Sequence, residues 1–298
     1  MVGAALAEGR NVDDRMETLR KKLREAKYVA DEGLAMVLYL AERLNRPLLL
    51  EGPAGVGKTA LAKAVSEARG VELIRLQCYE GLDAAHALYD WDYPKQLLLT
   101  RATISGEDGG AAPDIYTDRF LIERPLLRAL KTKPAPVLLI DEVDRADEEF
   151  EALLLEFLSE FQITIPERGS FRAEVPPTVI LTSNRTRDLS DALRRRCLYY
   201  WVDYPSVEQE AAIIALHVPD VAPTVARQIA RSVRRLRKLS LLKPPGLAES
   251  IDWARAVAEL TAGELDETIT RLTLGCLLKT QEDMELVREK GLALLWNA

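Results

Sequence analysis

Chemistry enters this sequence at one loop. Gly52-Pro53-Ala54-Gly55-Val56-Gly57-Lys58-Thr59 has the spacing G-x-x-x-x-G-K-[ST], which cradles a phosphate. The glycines let backbone N–H groups curl around an anion without Cβ clashes. Lys58 is placed to reach the β- and γ-phosphates, and the Thr59 hydroxyl to bind Mg2+. The apolar run Leu48-Leu49-Leu50 before the loop reads as a buried strand, and Ala60-Leu61-Ala62-Lys63-Ala64-Val65 after it reads as a helix. That strand–loop–helix setting is what the motif requires, and the helix N-terminus adds partial positive charge. The nucleotide-binding candidates are therefore Gly52, Pro53, Ala54, Gly55, Val56, Gly57, Lys58, Thr59 and Ala60.

A second constellation answers the first. Val137-Leu138-Leu139-Ile140 is an unbroken apolar run closed by Asp141-Glu142. Such a run suits a central parallel strand buried on both faces, and ligands of open α/β sheets bind beyond the carboxyl ends of the strands. Asp141 can hold Mg2+ there, directly or through water. Glu142 is placed to orient and deprotonate an attacking water.

The elements that must position these groups follow from periodicity. Residues 15–44 read as helical, and residues 71–76 as a second strand ending at Gln77. Phe150, Leu153, Leu154, Phe157, Leu158 and Phe161 form one apolar helical stripe. Residues 162–175 read as a β-hairpin around Pro166-Glu167-Arg168-Gly169. Thr178-Val179-Ile180-Leu181-Thr182-Ser183 is another core strand, followed by Asn184; a short helix near 189–195 leads to a strand at 198–202. Helices are expected at about 206–217, 222–238, 248–262, 264–279 and 282–296. The alternation up to residue 203 predicts an α/β fold, a parallel sheet sandwiched by helices, and the remainder an all-helical domain. The expected organisation is a flexible tail at 1–14, a nucleotide-binding domain at 15–204 with inserts near 83–120 and 162–175, and a helical domain at 205–298. The stretch Ser105-Gly106-Glu107-Asp108-Gly109-Gly110 is expected to be a flexible tip within the first insert.

Composition narrows the function classes. The 298 residues carry a net charge of −7, which argues against a nucleic-acid binder driven by overall charge. A local basic run at 231–238 reads as the solvated face of a helix. Three scattered cysteines and two histidines lack metal-ligand spacing and support neither a zinc site nor a Ser-His-Asp hydrolase. No apolar stretch approaches the ~18 residues of a membrane span, and the N-terminus has no signal-peptide core, so the expected compartment is the cytoplasm.

Taken together, the motifs resemble those of an AAA+ ATPase: the loop at 52–59 is similar to its Walker A motif and Val137-Leu138-Leu139-Ile140-Asp141-Glu142 to its Walker B motif. Asp141-Glu142-Val143-Asp144-Arg145-Ala146 resembles the D-E-[IV]-[ND]-R-A signature of the MoxR family, and the likeness runs from about residue 30 to 290. The resemblance implies a P-loop three-layer sandwich with a C-terminal helical lid, and ATP and Mg2+ as ligands. It implies that Asn184 is sensor 1 and that Gln77 contacts the catalytic Glu142. It implies an arginine finger in Ala192-Leu193-Arg194-Arg195-Arg196-Cys197, with Arg196 favoured and Arg194 and Arg195 open. A finger acting in trans implies a ring, a homo-hexamer by the family pattern. It further implies a client protein, contacted by the two inserts, and a von Willebrand A-domain companion. Tyr89-Asp90-Trp91-Asp92-Tyr93-Pro94 is similar to a subgroup linked to carbon monoxide dehydrogenase maturation. One departure stands out: the usual sensor 2 position in Pro244-Pro245-Gly246-Leu247-Ala248-Glu249 lacks Arg, leaving Arg255 as the nearest candidate. The competing readings are a nucleic-acid-stimulated motor on the same core and a GTPase or small-molecule kinase, the latter without an N-K-x-D motif.

Overall fold

The structure is a computed structural model and describes residues 2–104, 114–260 and 265–295. Helices α1 (Val2–Glu25) and α2 (Glu32–Leu44) precede strand β1 (Leu48–Glu51), and the glycine-rich loop leads into α3 (Lys58–Arg69) and β2 (Leu73–Gln77). The first insert contains α4 (Ala84–Ala87), β3 (Tyr89–Trp91), α5 (Tyr93–Ile104) and β4 (Leu121–Glu123). Next come α6 (Pro125–Lys131), β5 (Val137–Asp141), a 3-10 turn (Val143–Arg145) and α7 (Glu148–Glu160). The hairpin β6 (Gln162–Ile165) and β7 (Gly169–Arg172) precedes β8 (Thr178–Ser183), α8 (Asp191–Arg196) and β9 (Leu198–Trp201). The C-terminal region is helical: α9 (Val207–His217), α10 (Pro223–Leu236), α11 (Leu247–Leu260), α12 (Glu267–Leu277) and α13 (Gln281–Lys290).

The chain divides into two compact units. One comprises Glu32–Glu51 and Val65–Trp201, the other Met1–Asp31, Gly52–Ala64 and Val202–Ala298. The first holds a five-stranded parallel sheet in the order β2-β5-β8-β1-β9. Every residue of β5 is buried, as its unbroken apolar run predicts. Asp147 caps α7 by accepting from the Phe150 N–H at 2.9 Å, and the stripe of Phe150, Leu154, Phe157 and Leu158 is buried in the core beneath the sheet's own apolar residues. Phe161 ends α7 in the left-handed conformation (φ 47°), which turns the chain into the β6–β7 hairpin.

The second unit has its own core, in which Trp253 is fully buried among Ile229, Val233, Val257 and Leu274. Three of its helices start on side-chain caps: Ser206 and Gln209 form a reciprocal capping box on α9, and Asp266 and Thr280 cap α12 and α13.

One expectation changes. The stretch 1–14, read as a tail, is helical from Val2 as part of α1. In the first insert Trp91 is buried against the main core and meets Tyr89 and Tyr116 edge to face, so these aromatics anchor the insert, whereas Tyr93 is 62% exposed. The expected tip at 105–110 lies outside the described residues.

Candidate active site

Parallel register delivers the acids. Gln77 pairs with Asp141 and Ile140 with Leu181, so Gln77, Asp141 and Thr182 lie in one row at the carboxyl ends of β2, β5 and β8. Asn184 follows β8 directly.

Asp141 is 2% exposed. Its Oδ1 accepts from Thr182 Oγ1 and its Oδ2 from Arg75 Nη2, each at 2.6 Å. The Thr182 hydroxyl also accepts from the Glu142 N–H at 2.9 Å, using both its donor and its acceptor capacity. Glu142 itself sits at φ 54°, ψ 50°. A non-glycine residue held left-handed costs on the order of 1 kcal/mol or more and persists where surroundings fix it. Here the fixing is visible: Glu142 Oε2 accepts from Gln77 Nε2 at 3.1 Å and pairs with Arg145 Nε at 2.9 Å, while Asn184 Nδ2 approaches Oε1 at 3.4 Å. Sequence reasoning brought Gln77, Asp141, Glu142 and Asn184 forward, and the fold brings all four together.

Asp144 sets the position of Asn184. Its carboxylate accepts from the Asn184 N–H at 3.2 Å and from the Thr186 N–H at 2.8 Å and Oγ1 at 2.7 Å. Burial pushes this carboxyl up, but the hydrogen bonds from Thr186 and Asn184 outweigh it and hold the group below the usual carboxylate range. The thiol of Cys78 is pushed up to about 12, by burial first and then by Asp141, Asp144 and Glu142. Cys78 thus registers its burial and the negative field of the acids.

The glycine-rich loop belongs to the other unit. Lys58, 6% exposed, donates from Nζ to the carbonyls of Gly52 and Pro53, both at 2.7 Å. Gly55 has φ +77°, and a Cβ there would lie 2.9 Å from the Gly246 Cα; the Leu247 N–H, at the start of α11, donates to the Gly55 carbonyl at 2.8 Å. Gly57 has φ +95° and faces Leu247 and Tyr28. At Gly55 only a residue without a side chain fits against the helical segment.

The three arginines of α8 separate clearly. Arg194 makes a two-pronged contact with Glu51, which is 1% exposed, at 3.0 and 3.2 Å. Arg196, favoured by sequence, donates to Ser159 Oγ at 2.7 Å and to the Ala192 carbonyl at 3.2 Å. The Arg195 side chain is exposed and has no hydrogen-bond or ion-pair partner among the described residues. Arg255 pairs with Asp252 at 3.1 Å with both side chains 58% exposed, an ordinary solvated helix pair.

Each unit by itself carries groups suited to part of a magnesium nucleotide, glycines and Lys58 for phosphate in one and the buried Asp141 carboxylate for a cation in the other. Neighbouring backbone occupies the space a Cβ at Gly52 or Gly55 would need, so the loop runs close to its surroundings only as glycine, and the Arg75 guanidinium lies against Asp141 Oδ2. Among the described residues no cluster of three or more His, Cys, Asp or Glu could hold a metal.

Sequence reasoning missed Arg75, Thr182 and Thr186, and it brought Asp144 forward only as part of the family signature, without a role. Arg75 and Gln77, two apart on one strand, necessarily share a face, and that spacing was the available signal.

Residues 48–200 match the ATPase family associated with various cellular activities (AAA), which is just over half of the 298 residues. The chain belongs to the AAA ATPase family. Its five-stranded parallel sheet with a helical C-terminal region is the P-loop AAA fold. Curated relatives include the gas vesicle ATPase GvpN of Haloferax mediterranei, 28% identical over 204 residues (65% of this chain, 57% of that protein). GvpN1 of Halobacterium salinarum is 26% identical over 226 residues (72% and 64%). The AAA chain therefore spans less than two thirds of the length of either relative. Among solved structures, Thermotoga maritima RuvB superposes with a TM-score of 0.48 at 19% identity, covering 87% of this chain and 68% of that one.

Proposed function

We propose that this AAA protein is a Mg2+-dependent ATP hydrolase of the MoxR type that works as a ring, a hexamer by family resemblance, and remodels or matures a partner protein. The observation that carries the hydrolytic reading is the convergence of Gln77, Asn184 and Arg145 on the Glu142 carboxylate beside Asp141. Two relatives named as ATPases support it.

In this reading Gly52, Gly55, Gly57 and Lys58 would bind the phosphates, and Thr59 and Asp141 would hold Mg2+. Bound Mg2+ supplies charge neutralisation at the β- and γ-phosphates. Glu142 takes a proton from the attacking water, and Gln77 holds its carboxylate until then. The Asn184 amide hydrogen-bonds the γ-phosphate and the water. Of the three arginines, Arg195 has the side chain that can extend to a neighbouring subunit, because Arg194 is tied to Glu51 and Arg196 to Ser159. The client side is assigned to the first insert, where Tyr93, Leu97 and Leu98 are exposed, and to the β6–β7 hairpin. A von Willebrand A-domain companion and a carbon monoxide dehydrogenase client are carried by family resemblance alone.

Subunit mixing tests the trans arrangement. Arg195→Ala and Glu142→Gln chains should each be inactive alone, and mixing should restore phosphate release, because an intact Glu142 then meets an intact Arg195 from its neighbour. No recovery would place the arginine in cis. Full activity of Arg195→Ala beside an inactive Arg196→Ala would pass the role to Arg196.

A further inference from the structure

The basic run on α10 has no task inside its own unit. Its inward cations are used: Arg235 donates to the Leu295 carbonyl at 2.8 Å, and Arg237 pairs with the buried Glu210 at 2.7 and 2.9 Å. Arg227, Arg231, Arg234 and Lys238 are all exposed and have no hydrogen-bond or ion-pair partner among the described residues. Arg227, Arg231 and Arg234 are spaced i, i+4, i+7 and form one stripe opposite the buried face of Val225, Ile229, Val233 and Leu236, and Lys238 follows in the turn after the helix. Like charges three and four apart weaken a helix. A surface that neutralised the stripe would relieve that repulsion.

The same chain carries the counterpart. On α7, Glu149, Glu156 and Glu160 are exposed at i, i+7, i+11, the spacing of Arg227, Arg234 and Lys238, and they too have no such partner among the described residues. Ser159, between the last two, receives Arg196 from α8. The acidic stripe therefore adjoins the helix that presents Arg195.

We propose that the basic stripe of α10 docks on the acidic stripe of α7 in a second copy of this chain. The two stripes are different surfaces, so the contact is head-to-tail and propagates into a ring when the rotation closes. Charge complementarity of this kind fixes register and partner choice more than raw affinity. Docking beside α8 brings the neighbouring copy to the helix that bears Arg195; that consequence rests on the trans-arginine reading above. A polyanion such as nucleic acid is the lesser match, because the whole chain carries −7.

The test is a charge-swap cycle read by sedimentation velocity of the full chain with a slowly hydrolysed ATP analogue. Arg227→Glu/Arg234→Glu and Glu149→Arg/Glu156→Arg should each raise the concentration for half-assembly by about tenfold or more. An equimolar mixture of the two double variants should recover assembly, since each offers the other a complementary pair. Unchanged melting temperatures would show that the variants fold, as expected for exposed positions. Wild-type assembly should weaken between 0.05 and 0.5 M salt, about the range over which screening sets in. Variants that assemble like wild type, or a mixture no better than its parts, would overturn the docking surface and leave the ring standing. A wild-type chain that stays monomeric with nucleotide would overturn the ring and the surface together. Loss of duplex DNA binding in the α10 variant with assembly unchanged would overturn it in favour of a nucleic-acid surface.

Discussion

The Thr182 hydroxyl ties the two acids together, accepting from the Glu142 N–H and donating to Asp141 Oδ1. That pair of bonds explains how a glutamate can be held left-handed at the end of a strand. Asp144 does the same for Asn184 through backbone contacts. Its folded-state pKa lies below the ordinary value, so its contribution to stability is present above the unfolded pKa of about 3.9 and fades as pH falls through the folded value. Asp144→Asn should therefore destabilise the protein by about 1–3 kcal/mol at pH 7, and the gap to wild type should shrink in acid, measured by denaturant titration against pH. A gap independent of pH would contradict the role given to the charge. At this scale the meeting of Asp141, Glu142 and Asn184 was legible because motif and strand end coincide. Arg75, Thr182 and Asp144 were not, because their meaning depends on which strands neighbour β5, and that order is not written in any local pattern.

Elements, more than residues, were legible. The apolar run of β5, the stripe of α7 and the turn at Pro166-Glu167-Arg168-Gly169 each predicted the element observed. Residues 2–14 misled because small and acidic residues suggest fraying when read alone, whereas α1 continues through them. The α8 arginines show a limit of a different sort: three identical neighbours differ only in what each meets. Arg194 meets Glu51 at the end of β1 and so locks α8 to the sheet. Arg194→Ala should cost roughly 3–5 kcal/mol, because Glu51 is left buried without its cation. Arg194→Ala/Glu51→Gln should recover part of that loss in equilibrium unfolding; equal destabilisation of single and double variants would deny the pair.

At the scale of the molecule, the glycine-rich loop shares a unit with the C-terminal helices rather than with the sheet. The close backbone approach of Gly55 and Gly246 ties loop and helices together. Gly246→Ala would place a Cβ 2.7 Å from the Gly55 Cα, and a tenfold or greater rise in nucleotide Kd by calorimetry is expected, about 1.4 kcal/mol. An unchanged Kd would show that the loop tolerates the displacement. Among the described residues no helix is long and apolar enough to cross a membrane. The proposed division of labour assigns nucleotide binding to the loop and water activation to the acids at the strand ends. Glu142→Gln separates the two most directly, with ATP affinity and phosphate release measured on the same preparation. Affinity within about threefold of wild type and hydrolysis slower by about 10²–10⁴-fold are expected; lost affinity, or hydrolysis per bound nucleotide equal to wild type, would contradict the assignment of Glu142 as the base.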